Sequence, residues 1–190
     1  MTRAVLSIGS NLGDRLARLQ SAVDGLGAAV RQVSPVYETE AWGVADQGRF
    51  LNAVLIVDDP ATDGHGWLRR AHELEQAADR VRGERWGPRT LDVDVISCCD
   101  TTSSSPDQPG GTELQSRENG LTLPHPLAHL RAFVMVPWLS VDPDALLTVT
   151  GRRCRVADLL EELEPADRTG PRLTELELRR RPWPDRAGDG

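Results

Sequence analysis

The chain contains no lysine: all 22 of its Lys+Arg positions are arginine. A Walker A phosphate loop and a Schiff-base mechanism both require lysine, so neither operates here. Any phosphate chemistry must rest on arginine, backbone N–H groups and metal. Cysteine is scarce too. The 3 cysteines, Cys98, Cys99 and Cys154, form no C-x-x-C spacing. An odd number with an adjacent pair supplies neither a disulfide framework nor a structural zinc site, so reduced thiols are expected. A net positive charge is also missing. At −7 the chain is ill suited to generic nucleic-acid binding through a broadly basic surface. No apolar run approaches the roughly 20 residues that cross a bilayer. Met1-Thr2-Arg3-Ala4-Val5-Leu6 passes straight into strand-like sequence without a signal-peptide pattern. A cytoplasmic protein with no membrane partner is expected.

What is present describes a folded domain. The chain has 190 residues, 39% hydrophobic and 27% charged, which suits one globular unit with a real core better than two units or a disordered chain. Residues 4–8 form an apolar run closed by Gly9-Ser10-Asn11, a buried strand and its turn. Leu16, Leu19, Val23 and Leu26 recur at helical spacing before the stop signal Gly27. Residues 30–37 read as a second strand, with Pro35 marking an edge position or a bulge. Residues 50–57 are the strongest strand. Trp67, Leu68, Ala71, Leu74 and Ala78 mark a second amphipathic helix, and residues 91–96 a fourth strand. This β-α-β-β-α-β order predicts an α+β, ferredoxin-like split βαβ fold with helices on a mainly antiparallel sheet. Residues 100–120 turn polar and rich in Ser, Thr, Pro and Gly, and are expected to be an exposed, flexible insertion. Short helices are expected near 131–139 and 156–163, and a frayed tail from about residue 179.

Chemistry concentrates in one stretch, residues 80–95. On a strand, side chains alternate between faces, so Leu91, Val93 and Val95 point to the core while Asp92 and Asp94 point together the other way. Two carboxylates on one face repel unless a cation sits between them. Paired hard oxygens suit Mg²⁺, which takes one or two carboxylates and completes its shell with water and substrate phosphates. A bare D-x-D is short and common, and a solvent-facing acidic strand edge is its bland alternative. The preceding residues change that balance. Arg80, Arg82, Arg85 and Arg89 lie in a segment broken by Gly83, Gly87 and Pro88, and arginine forks match phosphate oxygens in pairs. Trp86 adds a broad face to pack on a nucleotide or seal the site. Together these residues predict a phosphoryl-transfer site assembled by a closing lid.

Arg85-Trp86-Gly87-Pro88-Arg89-Thr90-Leu91-Asp92-Val93-Asp94 resembles the signature of the 6-hydroxymethyl-7,8-dihydropterin pyrophosphokinase family. Four further segments agree in order. They are Ile8-Gly9-Ser10-Asn11-Leu12-Gly13, the stretch from Tyr37-Glu38-Thr39-Glu40 to Trp42-Gly43, Phe50-Leu51-Asn52-Ala53, and Leu123-Pro124-His125 with Arg131-Ala132-Phe133. The resemblance implies transfer of pyrophosphate from ATP to the pterin alcohol, giving AMP and the pterin diphosphate. It implies a single such domain over residues 1–165, with residues 166–190 as a C-terminal extension. Asp92 and Asp94 would hold two Mg²⁺ ions, and Asp92 would also touch the pterin. Arg82 and Arg89 would meet the phosphates as catalytic groups, with Arg80, Arg85 and Trp86 supporting. His125 and Arg131 would contact the triphosphate, and Thr122 and Glu75 would lie on the adenosine side. Thr39, Glu40, Trp42, Phe50, Asn52 and Phe133 would form the pterin pocket. Phe50 and Asn52 share a strand face, so an aromatic surface and an amide can serve one flat heterocycle.

Three positions depart from the family pattern. Glu40 stands where many relatives have proline, Gly120 where some bacterial relatives carry arginine, and Pro126 where some carry tyrosine. Arg117 is the candidate replacement for the missing cation. Two alternatives are weighed against this reading. A metal-dependent phosphoesterase would use the same acidic pair with water as nucleophile. A ferredoxin-like nucleotide- or RNA-binding module would need a basic sheet face rich in aromatics, and the strongest strand offers only Phe50.

Overall fold

A computed structural model describes residues 2–41, 48–78, 90–103 and 111–180. Its centre is β1 (Thr2–Ser10), buried along nearly its whole length, as expected of a strand whose middle is mainly apolar. β2 (Val30–Val33) and β3 (Tyr37–Thr39) both pair with β4 (Phe50–Asp59). β1 lies between β4 and β5 (Asp92–Asp100), antiparallel to each. With β6 (Thr112–Glu113) beyond β5, this is the ferredoxin-like split βαβ order expected from the sequence.

The expected second strand, residues 30–37, is divided at Pro35, which has no N–H to give to a ladder. Ser34 bridges the break. Its N–H donates to the Val54 carbonyl and its Oγ accepts from Val54 N, both at 2.9 Å. A side-chain oxygen thus replaces the backbone acceptor where the chain bends.

The two sheet faces have different covers. Helix α1 (Arg15–Leu26) is capped by Asp14, whose carboxylate accepts from Ala17 N at 3.0 Å, and stops at Gly27 with φ 54. Helix α2 (Gly64–Ala77) is capped by Asp63, which accepts from Gly66 N at 2.7 Å. The helices bury Leu19, Val23, Leu26, Trp67 and Ala71 against Leu6, Ile8, Leu55, Val93 and Val95. The opposite face carries Val5, Val54 and Ile96. They pack under α3 (Ala132–Val141) and α4 (Val156–Glu161) through Val134, Met135, Trp138, Val156 and Leu159. Toward the end of β1 the same face presents Ser7 and then Gly9.

The polar stretch 100–120 is more structured than its composition suggests. β6 pairs with the end of β5, and Leu114 N donates to the Cys98 carbonyl at 2.7 Å. β7 (Ser116–Glu118) and β8 (Leu121–Leu123) then form a hairpin. Isolated apolar residues account for the difference: Leu114, Leu121 and Leu123 all join the main core. Residues 104–110 lie outside the described residues. A second hairpin, β9 (Leu146–Val149) with β10 (Arg152–Arg155), leads into α4, and α5 (Pro165–Arg168) precedes β11 (Arg172–Leu173), which pairs with β3. Part of the expected tail, residues 181–190, is also outside the described residues. All three cysteines are free, and burial pushes the Cys98 thiol up to about 12. Among the described residues no helix is long and apolar enough to cross a membrane.

Candidate active site at the open end of the sheet

Strand register builds the site. Gly9 on β1 sits opposite Asn52 on β4 and opposite Asp92 on β5, so these three residues share one row of the sheet face turned away from α1 and α2. Neighbouring strands are ~4.8 Å apart, so the Asn52 and Asp92 backbones lie roughly 10 Å from each other across Gly9. Asp94 is one row further along β5, opposite Ser7. Val93 and Val95 are buried on the helical side, while Asp92 and Asp94 remain partly exposed, as strand alternation requires.

Asp94 does have a cation beside it. Arg131, at the start of α3, donates from Nη1 to Asp94 Oδ2 at 2.9 Å, and its guanidinium lies 5.6 Å from the centre of the Phe133 ring. Arg131 is itself buried, so the residue expected on the triphosphate is first a partner of the acidic pair. His125 Nε2 lies 3.9 Å from the same carboxylate oxygen, beyond hydrogen-bond reach. Leu127 N donates to His125 Nδ1 at 3.2 Å, which leaves the neutral ring's proton on Nε2. Burial holds the His125 pKa below its usual 6.5, against the opposing pull of Asp94. Glu75 is buried on α2, and its Oε1 accepts from Val93 N at 3.1 Å, tying the acid-bearing strand to the helix layer.

A cavity of about 350 Å³ opens over the acids, lined by Glu75, Asp92, Asp94, Thr122 and His125, among others. A second, of about 610 Å³, shares Thr122, His125 and Pro126 with it and extends past Arg117 and His129. Arg117 sits opposite Thr122 in the β7–β8 hairpin, so the two side chains share a face. The hairpin turn is Asn119-Gly120, with φ 52 and φ 80. Glycine fits that left-handed conformation without strain and arginine would not, which explains Gly120.

On the other flank, Asn52 Nδ2 donates to Thr39 Oγ1 at 2.7 Å, and both residues are buried. A Cβ at Gly9 would lie 2.9 Å from Asn52 Oδ1 and 3.6 Å from Phe50, so only hydrogen fits there. Glu40 is exposed and pairs with Arg49 Nε at 2.8 Å. Arg49 also reaches Glu38, whose carboxyl is held below the usual range chiefly by its hydrogen bond from Arg15 at 3.0 Å. Trp42, Arg80, Arg82, Arg85, Trp86 and Arg89 fall outside the described residues. Gly9 as the floor of the row, and Leu68 and His72 as cavity lining, were not singled out from sequence. A signal was present for the last two: Leu68, His72 and Glu75 form an i, i+4, i+7 stripe on α2.

The family profile for 7,8-dihydro-6-hydroxymethylpterin-pyrophosphokinase (HPPK) matches residues 5–143. The chain is 61% identical over 173 residues to 2-amino-4-hydroxy-6-hydroxymethyldihydropteridine pyrophosphokinase of Mycobacterium tuberculosis, covering 91% of this chain and 90% of that one. It is 63% identical over 179 residues to the Mycobacterium leprae protein of the same name, covering 94% and 92%. Among solved structures, an HPPK-DHPS in complex with substrates superposes with a TM-score of 0.55 at 11% identity, over 83% of this chain and 43% of that one. Wild-type Plasmodium falciparum HPPK-DHPS superposes with a TM-score of 0.54 at 12% identity, over 84% and 43%. This chain therefore spans less than half the length of those two structures, whose likeness is one of fold.

Proposed function

The chain belongs to the 7,8-dihydro-6-hydroxymethylpterin-pyrophosphokinase family, and we propose that it works through the row running from Asn52 across Gly9 to Asp92 and Asp94. The enzyme transfers the pyrophosphoryl group of ATP to dihydropterin in folate biosynthesis, releasing AMP. Its substrates are these two small molecules, and it acts in the cytoplasm, where ATP is supplied. The observation that supports the site assignment is the register at Gly9, where Asn52 and the acidic pair fall on one sheet face.

The acidic pair fits Mg²⁺. Asp92 and Asp94 offer a pair of carboxylates from one strand face. Such a pair would suit an ion completed by water and substrate phosphates, and two such ions would be held by Asp92 and Asp94. Magnesium bound there would neutralise charge developing on the phosphate oxygens. Arg131 engages Oδ2 of Asp94 and leaves Oδ1 for coordination. His125, neutral with its proton on Nε2, donates toward a phosphate oxygen. Thr122 and Glu75 border the adenosine. Arg82 and Arg89 clamp the phosphates from the segment before β5, with Arg80 and Arg85 supporting and Trp86 packing on the nucleotide. Thr39, Glu40, Trp42, Phe50, Asn52 and Phe133, with Asp92, surround the pterin. The Asn52 amide reads the ring edge while the aromatics face the ring. Catalysis is then mainly alignment of the hydroxymethyl oxygen with the β-phosphorus and charge neutralisation. The pyrophosphokinase domain is residues 1–165, followed by a C-terminal extension over residues 166–190.

Product analysis of Asp92→Ala and Asp94→Ala tests the assignment. The wild type should give AMP and pterin diphosphate only when both substrates are present. Each variant should fold normally and lose nearly all turnover. Full turnover in either one at ordinary magnesium removes that residue from the site.

A further inference from the structure

The C-terminal extension does not hang free of the sheet, and the place where it attaches bears on the reaction. Residues 171–180 lie outside the region matched by the family profile, yet they run along the β3 edge and onto α1. Arg172 and Leu173 pair with Glu38 and Tyr37 of β3. Thr174 donates twice to the Val36 carbonyl, from N at 3.0 Å and from Oγ1 at 2.9 Å. Leu178 packs on the main core. Gln20 on α1 then treats Arg179 as a strand neighbour would: Gln20 Nε2 donates to its carbonyl at 2.8 Å, and its N–H donates to Gln20 Oε1 at 2.9 Å. Arg180 closes the run by donating to the Arg31 carbonyl at 2.6 Å.

We infer that residues 171–180 are a positioning strap that fixes the pterin side of the active site by holding β3 in register. The mechanical reason is the weakness of β3 alone. It has three residues, follows the break at Pro35, and pairs with β4 on one side only unless β11 supplies the other. β3 ends at Thr39, whose Oγ1 accepts from Asn52, and it leads directly into residues 40–49. A β3 that peels from its register carries Thr39 away and leaves the Asn52 amide without the acceptor that orients it. On the ATP side, Asp92 and Asp94 lie on β5 beside β1, Glu75 on α2 and Arg131 at the start of α3, none of which receives the strap's hydrogen bonds named above.

The inference rests on Asn52 and Thr39 forming the pterin floor. It is tested with the full chain, a deletion of residues 171–190, Thr174→Val and Thr174→Ser, and Asn52→Ala. The deletion and Thr174→Val should raise the pterin KM roughly 2- to 10-fold, the range one net hydrogen bond carries, with the ATP KM unchanged. Thr174→Ser, which keeps the hydroxyl, should restore it. Amide exchange at residues 37–39 should quicken in the same two variants. A strap that only stabilises would lower Tm and leave the KM ratio alone. Thr174→Val keeps the test open if the deletion does not fold. A raised pterin KM in Asn52→Ala with no change in Thr174→Val overturns the strap alone. No change in Asn52→Ala overturns the floor and the strap with it.

Discussion

Gly9→Ala is a small change with a large expected consequence, because its methyl would enter the row between the pterin floor and the acids. The new Cβ would lie 2.9 Å from Asn52 Oδ1, inside the distance that real Cβ atoms keep from other heavy atoms. Asn52 cannot simply swing aside, because it is buried and its Nδ2 is held by Thr39 Oγ1 at 2.7 Å. Forcing one methyl into a packed place costs about 1–3 kcal/mol. Strand propensity returns part of that in the folded protein, since alanine exceeds glycine there by about 0.5–1 kcal/mol. Global stability should therefore fall by about 0–2.5 kcal/mol, with the strain concentrated on the Asn52 amide. If the strain is expressed in binding, the pterin affinity weakens roughly 5- to 140-fold. Isothermal titration with pterin in the presence of a non-hydrolysable ATP analogue reads it, with ATP affinity and Tm as controls. Unchanged pterin affinity in a folded Gly9→Ala protein refutes the placement of the floor at Asn52.

Two more outcomes follow from the acid side. Arg131→Met strands Asp94 beside a buried apolar group and should lower stability, and Asp94→Asn should recover much of that loss without recovering turnover. A double-mutant cycle by denaturant unfolding should give a coupling of about 1–3 kcal/mol, discounted because Asp94 is partly exposed, and a coupling near zero would deny the pair. His125 should titrate below 6.5 in the nucleotide-free protein, since burial disfavours its charged form and protonating Nδ1 would forfeit the bond from Leu127 N. Because its folded pKa lies below the unfolded value, its contribution to stability is present above pH 6.5 and is lost as pH falls through the folded pKa. An NMR midpoint above 6.5 would contradict this.

The sheet was legible because its determinants are local. Residues 4–8 and 50–57 are apolar apart from Ser7 and Asn52, Pro35 marks an irregular strand, and the alternation 91–95 assigns each side chain to a face. The partners of those side chains were not legible. Nothing near Asp94 in sequence indicates Arg131, which arrives from the start of α3 because Phe133 and Val134 anchor that helix on the far face. Glu75 read as a ligand-side acid, whereas it also braces β5 through Val93 N, a contact only tertiary packing creates. Gly9 read as a turn glycine, and its neighbours on both sides emerge from strand register alone. The polar composition of 111–120 hid Leu114, which docks on the core together with Leu121 and Leu123 just beyond that stretch, while Asn119-Gly120 was a hairpin signal in plain view. The strap was hidden for a simpler reason: residues 172–173 are too few to show a period.

The most direct test of the central assignment is anomalous diffraction from crystals grown with Mn²⁺, a non-hydrolysable ATP analogue and a pterin. Manganese peaks within about 2.0–2.3 Å of carboxylate oxygens of both Asp92 and Asp94, bridging to the analogue's phosphates, are the expected result. Manganese bound to the nucleotide with neither carboxylate in its shell would contradict it.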